Sequence, residues 1–298
     1  MLQLDVASTV NFYALAEIVM GTVPSWLRTF TFRGQTMLQA TGVVDNGASL
    51  ANHLTGTLFV EDFSTRVIEG DQAYCYWNAT SNRLTCADLR LHMDGGVLAG
   101  TVLVNTLNDP EACRWEMMGV VEDVNLHQLV ARTSSKKQED PIKGLLSGRV
   151  DLSGDFKEGF RSRLLGEGRV AIDEGQLFRV PVFGGLSGIL SKIVPGFGYA
   201  SQTAFNAKYT IGDNAVRFDP IELDGDVLSV AGAIRLGFDE KLSGTVRVKL
   251  LREGLLAELI QGLTWPVSKL LEVRLTGTLQ DPGWRPDNLP KELFLKFD

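Results

Sequence analysis

The sequence predicts a mainly β fold, an antiparallel sheet flanked by a few short amphipathic helices. Three observations carry this. Apolar and polar residues alternate over short runs, as in Phe205, Ala207, Tyr209 and Ile211 against Asn206, Lys208 and Thr210, which is the period of a strand with one dry face. The runs are separated by Gly, Asn and Asp, twice as the Asp-Gly pair that tight hairpins require, at 94–95 and 224–225. The predicted strands are apolar on one face only, which suits an antiparallel sheet rather than a parallel one buried on both sides.

Length and composition allow such a fold and exclude several functions. The chain has 298 residues, 44% hydrophobic and 22% charged, enough for a sizeable core in one or two domains. Its net charge of −7 leaves no basic surplus for nucleic acid or for an anionic membrane surface. No stretch reaches the roughly 20 apolar residues that span a bilayer. The nearest are 12–27, interrupted by Glu17 and Pro24, and 180–200, which is Gly-rich and carries Lys192; both read as packed segments. Met1 is followed by LQLDVAS, without the basic region and apolar core of a signal peptide.

Taken in order, residues 5–30 read as helix, capped by Asp5 or Ser8, with Phe12, Leu15, Ile18 and Val19 at helical spacing and a division at Gly21 and Pro24. Strands follow from about Thr31 to Val121. Thr57–Glu61 alternates around Leu58 and Val60, and Ala73–Trp77 with Leu84–Met93 makes a hairpin. Asp94-Gly95-Gly96 turns into Val97–Asn105. Asp123–Ala131 reads as a short helix and Ser134–Asp140 (SSKKQED) as a polar linker. These signals divide the chain into a helical segment 1–30, a β-rich region 31–133 and a C-terminal region 140–298.

The C-terminal region is the clearest. A strand at Gly168–Asp173 turns at Glu174-Gly175. An apolar run, Leu177–Phe183, leads to a helix at Leu186–Val194, ended by Pro195. Val216 and Phe218 lie on one parity and Ile221 and Leu223 on the other, so Pro220 predicts a bulge or an edge. Leu228, Val230, Ile234 and Leu236 form one face of the next strand, and Val246, Val248 and Leu250 alternate after it. Leu255–Leu271 reads as helix broken at Pro266, and Val273, Leu275 and Leu279 alternate last. DGGVLAGTVLVN (94–105) and DGDVLSVAGAIRL (224–236) form a loose repeat, as expected of a sheet extended by duplicated hairpins.

Candidate chemistry is sparse. His53, His92 and His127 are scattered, without metal-ligand spacing. Gly184-Gly185-Leu186-Ser187-Gly188 lacks the following Lys of a phosphate loop. The acidic turns at Asp224–Asp226 and Asp173-Glu174 read as solvated. No catalytic, metal or cofactor site is expected. Cys75 and Cys86 flank a turn in YCYWNATSNRLTC. If residues 79–82 form that turn, the two cysteines face each other, as free thiols or, in an oxidising compartment, as a disulfide. An apolar sheet face could be a helix-covered core or, if the sheet curls open, a groove for acyl chains; alternation is the same in both.

Four segments in order, VEDVNLHQLV (121–130), LLSGRVDLSGD (145–155), LLGEGRVAIDEGQLFRVPVFGGLSGIL (164–190) and VRLTGTLQDPGWRP (273–286), resemble the AsmA-like C-terminal region family. Members are similar to the bridge-like lipid transfer proteins. The resemblance implies a long curled antiparallel sheet, an open groove that carries phospholipid acyl chains in the cell envelope between membranes, and no catalytic residues. It makes the apolar alternating positions groove-lining candidates: Leu228, Val230, Ile234, Leu236, Val246, Val248, Leu250, Val273 and Leu275. It places the protein in the periplasm, held to the inner membrane by an N-terminal helix that this chain lacks, so that the chain reads as the C-terminal portion of something longer. The alternative is an envelope scaffold for outer-membrane biogenesis, docking partner proteins without lipid cargo.

Overall fold

A computed structural model describes residues 2–9, 11, 13–14, 27–44, 53–65, 68–80, 82–105, 114–133, 142–155, 163–193, 203–225, 228–250 and 270–287. Among these the chain is mainly β, with sixteen antiparallel strands and two α-helices. It divides into two compact units. Unit 1 comprises Met1–Thr133 with Ser147–Gly166, and unit 2 comprises Ser134–Leu146 with Glu167–Asp298.

Unit 1 holds β1 (Leu2–Thr9), β2 (Thr31–Phe32), β3 (Thr36–Val44), β4 (His53–Ser64), β5 (Glu69–Thr80), β6 (Arg83–Met93), β7 (Gly96–Asn105), β8 (Arg114–Asn125) and β9 (Leu145–Asp155). From β3 onward the strands pair in sequence order, with β1 on the outer side of β3 and the short β2 against β4. The first strand does not meet the last, so the sheet is open. The meander follows from its turns. Asp94 and Gly95, at φ 51° and 78°, occupy the left-handed pair that joins β6 to β7, as the Asp-Gly dipeptide predicts. Helix α1 (Leu126–Thr133) follows β8 and is capped by Asn125, whose Oδ1 accepts from the amides of His127 and Gln128 at 3.0 and 3.4 Å.

Unit 2 holds β10 (Leu165–Gly175), helix α2 (Pro181–Ile193), β11 (Thr203–Gly212), β12 (Ala215–Gly225), β13 (Leu228–Gly237), β14 (Leu242–Leu250), β15 (Leu270–Gly277) and β16 (Pro282–Pro286), the strands again in sequence order. The register of β12 against β13 shifts between Phe218 and Ile221, around Pro220. That is the predicted bulge, formed because proline has no N–H to give the ladder. The repeat seen in the sequence has a structural counterpart. A Cβ at Gly100 or Gly232 would sit 2.2 Å from the Met118 carbonyl oxygen or 2.3 Å from that of Thr245, so each glycine admits the backbone of the following strand.

Three expectations are corrected. Residues 2–9 are a strand, not the start of a helix; the alternation of Leu2, Leu4 and Val6 prevails over the helical spacing that begins at Phe12, and residues 15–26 lie outside the described residues. The α2 helix begins at Pro181 rather than Leu186, with proline in the first turn where a missing N–H costs nothing. The cysteine hairpin turns one step later than expected, because Thr80 pairs with Arg83 and Trp77, not Cys75, faces Cys86. Among the remaining expectations, the linker Ser134–Asp140 lies outside the described residues, as does the helix predicted at 255–271 apart from Leu270 and Leu271, which are in β15.

Candidate functional site: two apolar sheet faces

Cross-strand register sorts the side chains of each unit onto two faces. In unit 2 the groove candidates come together on one of them. Val230 pairs with Val248, Gly232 with Val246, Val246 with Val273, and Ile234 with Gly244, which pairs with Leu275. The same face runs on to Leu223 and Phe205 on one side and to Trp284 on the other. Leu228 (1% exposed), Val230 (2%), Val246 (0%), Val248 (1%), Val273 (0%) and Leu275 (0%) are buried, Ile234 also, and Leu236 half-buried. Leu250 pairs with Leu228.

Helix α2 lies on this face. Phe183 packs edge-on against Phe205 of β11 with ring centroids 6.1 Å apart, and the Trp284 indole N–H of β16 donates to the Val182 carbonyl at 2.6 Å. Gly185 abuts the same indole; a Cβ there would sit 2.8 Å from it. Leu186, Ser187 and Leu190 are fully buried on the inner side of the helix, as are Leu177 and Phe178 in the 3-10 turn before it. The Gly-rich stretch 184–188 is therefore helix interior, and the groove candidates of unit 2 are the floor of a packed core. Ser187 Oγ has no hydrogen-bond partner there.

Unit 1 carries a face of the same kind without that depth of burial. One row crosses Val6, Ala40, Gly56, Trp77, Cys86, Val102 and Met117, and the next crosses Leu4, Gly42, Leu54, Ala79, Leu84, Val104 and Trp115. Two further rows bring in Leu38 and Leu58, then Val60, Ala73, Leu91, Leu98 and Val121; Ser8 and Thr36 are the polar members among the four rows. Six spacings of about 4.8 Å separate β1 from β8 along the sheet, roughly 29 Å of apolar surface. Val6 is 42% exposed. Leu38, Leu54, Leu58, Trp77, Leu84, Leu91, Val102, Val104 and Met117 are half-buried, whereas Trp115, Val60, Leu98 and Val121 are buried. Large rings lie across glycines on this face: Trp77 over Gly56, Phe63 over Gly70 and Trp115 over Gly154. The spacing of glycine and aromatic residues was the signal for these pairs, but it becomes readable only once the register is known.

Polar groups gather at one margin of unit 1. Arg132 of α1 bonds Asp94, whose side chain is 1% exposed, and Glu69 at 3.0 Å; Arg33 reaches Glu69 at 3.5 Å and Asp62 at 3.7 Å. The three histidines fall on β4, β6 and α1, and among the described residues no cluster of His, Cys, Asp and Glu could hold a metal. Asp173, Glu174 and Asp224 are exposed at strand ends. Cys75 and Cys86 are free thiols, buried and half-buried. No helix among the described residues is long and apolar enough to cross a membrane. Comparison with family models, curated proteins and solved structures gives no match.

Proposed function

We propose that this chain is a non-catalytic lipid-binding protein of the AsmA-like kind, which holds phospholipid acyl chains on the apolar face of unit 1 and conducts them between membranes of the cell envelope. The observation that carries this reading is the difference between two chemically similar faces: six of the unit 2 candidates, Leu228, Val230, Val246, Val248, Val273 and Leu275, are buried to 2% or less, while most residues of the matching rows in unit 1 are only half-buried. An accessible face of this size is costly in water. Covering it with methylenes returns about 0.8 kcal/mol for each one buried, and an open side leaves a charged head group hydrated. The periplasm is the compartment this reading requires.

The test is native mass spectrometry with lipid extraction on the full chain purified from a bacterium. Co-purified phospholipid that is lost in Leu58→Asp and Met117→Asp, with unchanged circular dichroism, supports the reading. A folded, lipid-free chain overturns it. One observation favours the second reading, an envelope scaffold for outer-membrane biogenesis: α2 already occupies the face of unit 2, so that unit offers partners its outer surface and not a groove.

A further inference from the structure

We propose that Cys75 and Cys86 form a reversible redox pair set into the apolar face of unit 1, in which Cys86 reacts first with an external disulfide and Cys75 resolves the adduct into an intramolecular bond. The inference does not rest on the lipid reading.

The register places both sulfurs on one face. Cys86 lies directly opposite Trp77, and Cys75 is two residues before Trp77 on the same strand, so the cysteines are diagonal neighbours. The ladder shifts between Tyr74 and Tyr76, with Cys75 at the shift and the additional residue accommodated in β6 around Asp88, at φ 49°. Cys75 is 3% exposed and Cys86 half-buried, so an incoming reagent meets Cys86 first. The two thiols are hydrogen-bonded to each other. That bond holds the Cys86 thiol below its ordinary value against the opposing effect of burial, and the same bond, with burial, pushes Cys75 up. The more accessible sulfur is thus also the more acidic of the two.

The chemistry is thiol–disulfide exchange. The Cys86 thiolate attacks one sulfur of a small disulfide such as glutathione disulfide, that S–S bond breaks, and one glutathione thiolate leaves and is protonated from water. Cys75 then gives up its proton and attacks the Cys86 sulfur of the mixed disulfide, releasing the second glutathione. The protein loses two thiol protons and two electrons, and the external disulfide gains them. Diagonal positions on paired strands have Cα atoms about 7–8 Å apart, beyond the roughly 4.4–6.8 Å of a relaxed bridge. Closure must tighten the bulge, and a bridge formed under such strain is readily reduced, which makes the pair a switch rather than a permanent staple.

The experiment treats the reduced, folded full chain with glutathione disulfide and reads intact mass and peptide linkage. The expected product has lost two hydrogens, carries a Cys75–Cys86 link and returns to the dithiol with excess reduced glutathione. Cys75→Ser should stop at a stable glutathione adduct on Cys86, and Cys86→Ser should react about tenfold more slowly at Cys75 than the parent chain reacts at Cys86. The proposal is overturned if the link or the adduct maps instead to Cys113, the third cysteine of the sequence. It is equally overturned if both thiols stay reduced in the folded chain while the urea-unfolded chain reacts. The parent-chain mapping decides the matter even where a variant fails to fold.

Discussion

Val246 and Leu58 are aliphatic side chains on the apolar faces of similar strands, yet Val246 is 0% exposed beneath a helix-covered sheet and Leu58 is half-buried. A carboxylate at each position reports the difference. Val246→Asp strands an unpaired charge in a dry core and should cost about 4 kcal/mol or more, while Leu58→Asp, within reach of water, should cost about 1–2 kcal/mol; urea unfolding of the two variants measures both. Equal losses would mean that unit 1 is sealed as well. Ser187 gives a sign test at the same scale. Its hydroxyl is fully buried and unpartnered, so Ser187→Ala removes a desolvated group without removing a bond and should raise stability by about 1 kcal/mol.

At the scale of elements, α1 is tied to the sheet through Arg132, which bonds Asp94 in the β6–β7 turn and Glu69 at the start of β5. The Asp94 carboxylate is almost wholly buried, so Asp94→Ala leaves a partly buried guanidinium short of a partner and should cost about 2 kcal/mol. The loss should persist at high salt, read as the urea midpoint with and without added sodium chloride, because only exposed pairs are screened. Most elements were legible beforehand for local reasons. The 94–95 turn, the bulge at Pro220 and the alternation from Phe205 to Val248 are each written in a few neighbouring residues. What could not be read was non-local. Leu2, Leu4 and Val6 alternate over only eight residues, and their strand character depends on pairing with β3 more than thirty residues away. The cysteine register turned on whether the loop took two residues or four, a choice made by the Thr80–Arg83 pair.

Over the whole molecule, the candidate site was half legible. The nine positions named in unit 2 do fall on one face where the register is described, because cross-strand pairing preserves parity. That α2 lies on that face, and that the more accessible apolar face belongs to the first unit, is not encoded in alternation, which is identical for a covered sheet and an open one. A photoactivatable phospholipid should therefore label peptides from β4 to β8 and leave β13 to β15 unlabelled. Labelling confined to β13–β15 would mean that α2 gives way to lipid and would move the groove to unit 2.

The strands of each unit are laid down in the order in which they are hydrogen-bonded, the short β2 apart. Each later strand depends on the one before and the one after, so contacts are local along the chain, and a nucleus formed at any hairpin can grow in either direction, as in a repeat array. A hairpin gained or lost at a turn leaves every other pairing intact. The span of such a sheet is thus a freely adjustable length, changed by about 4.8 Å for each strand, and natural selection can set the reach of the protein like the number of rungs on a ladder, without redesigning any one rung.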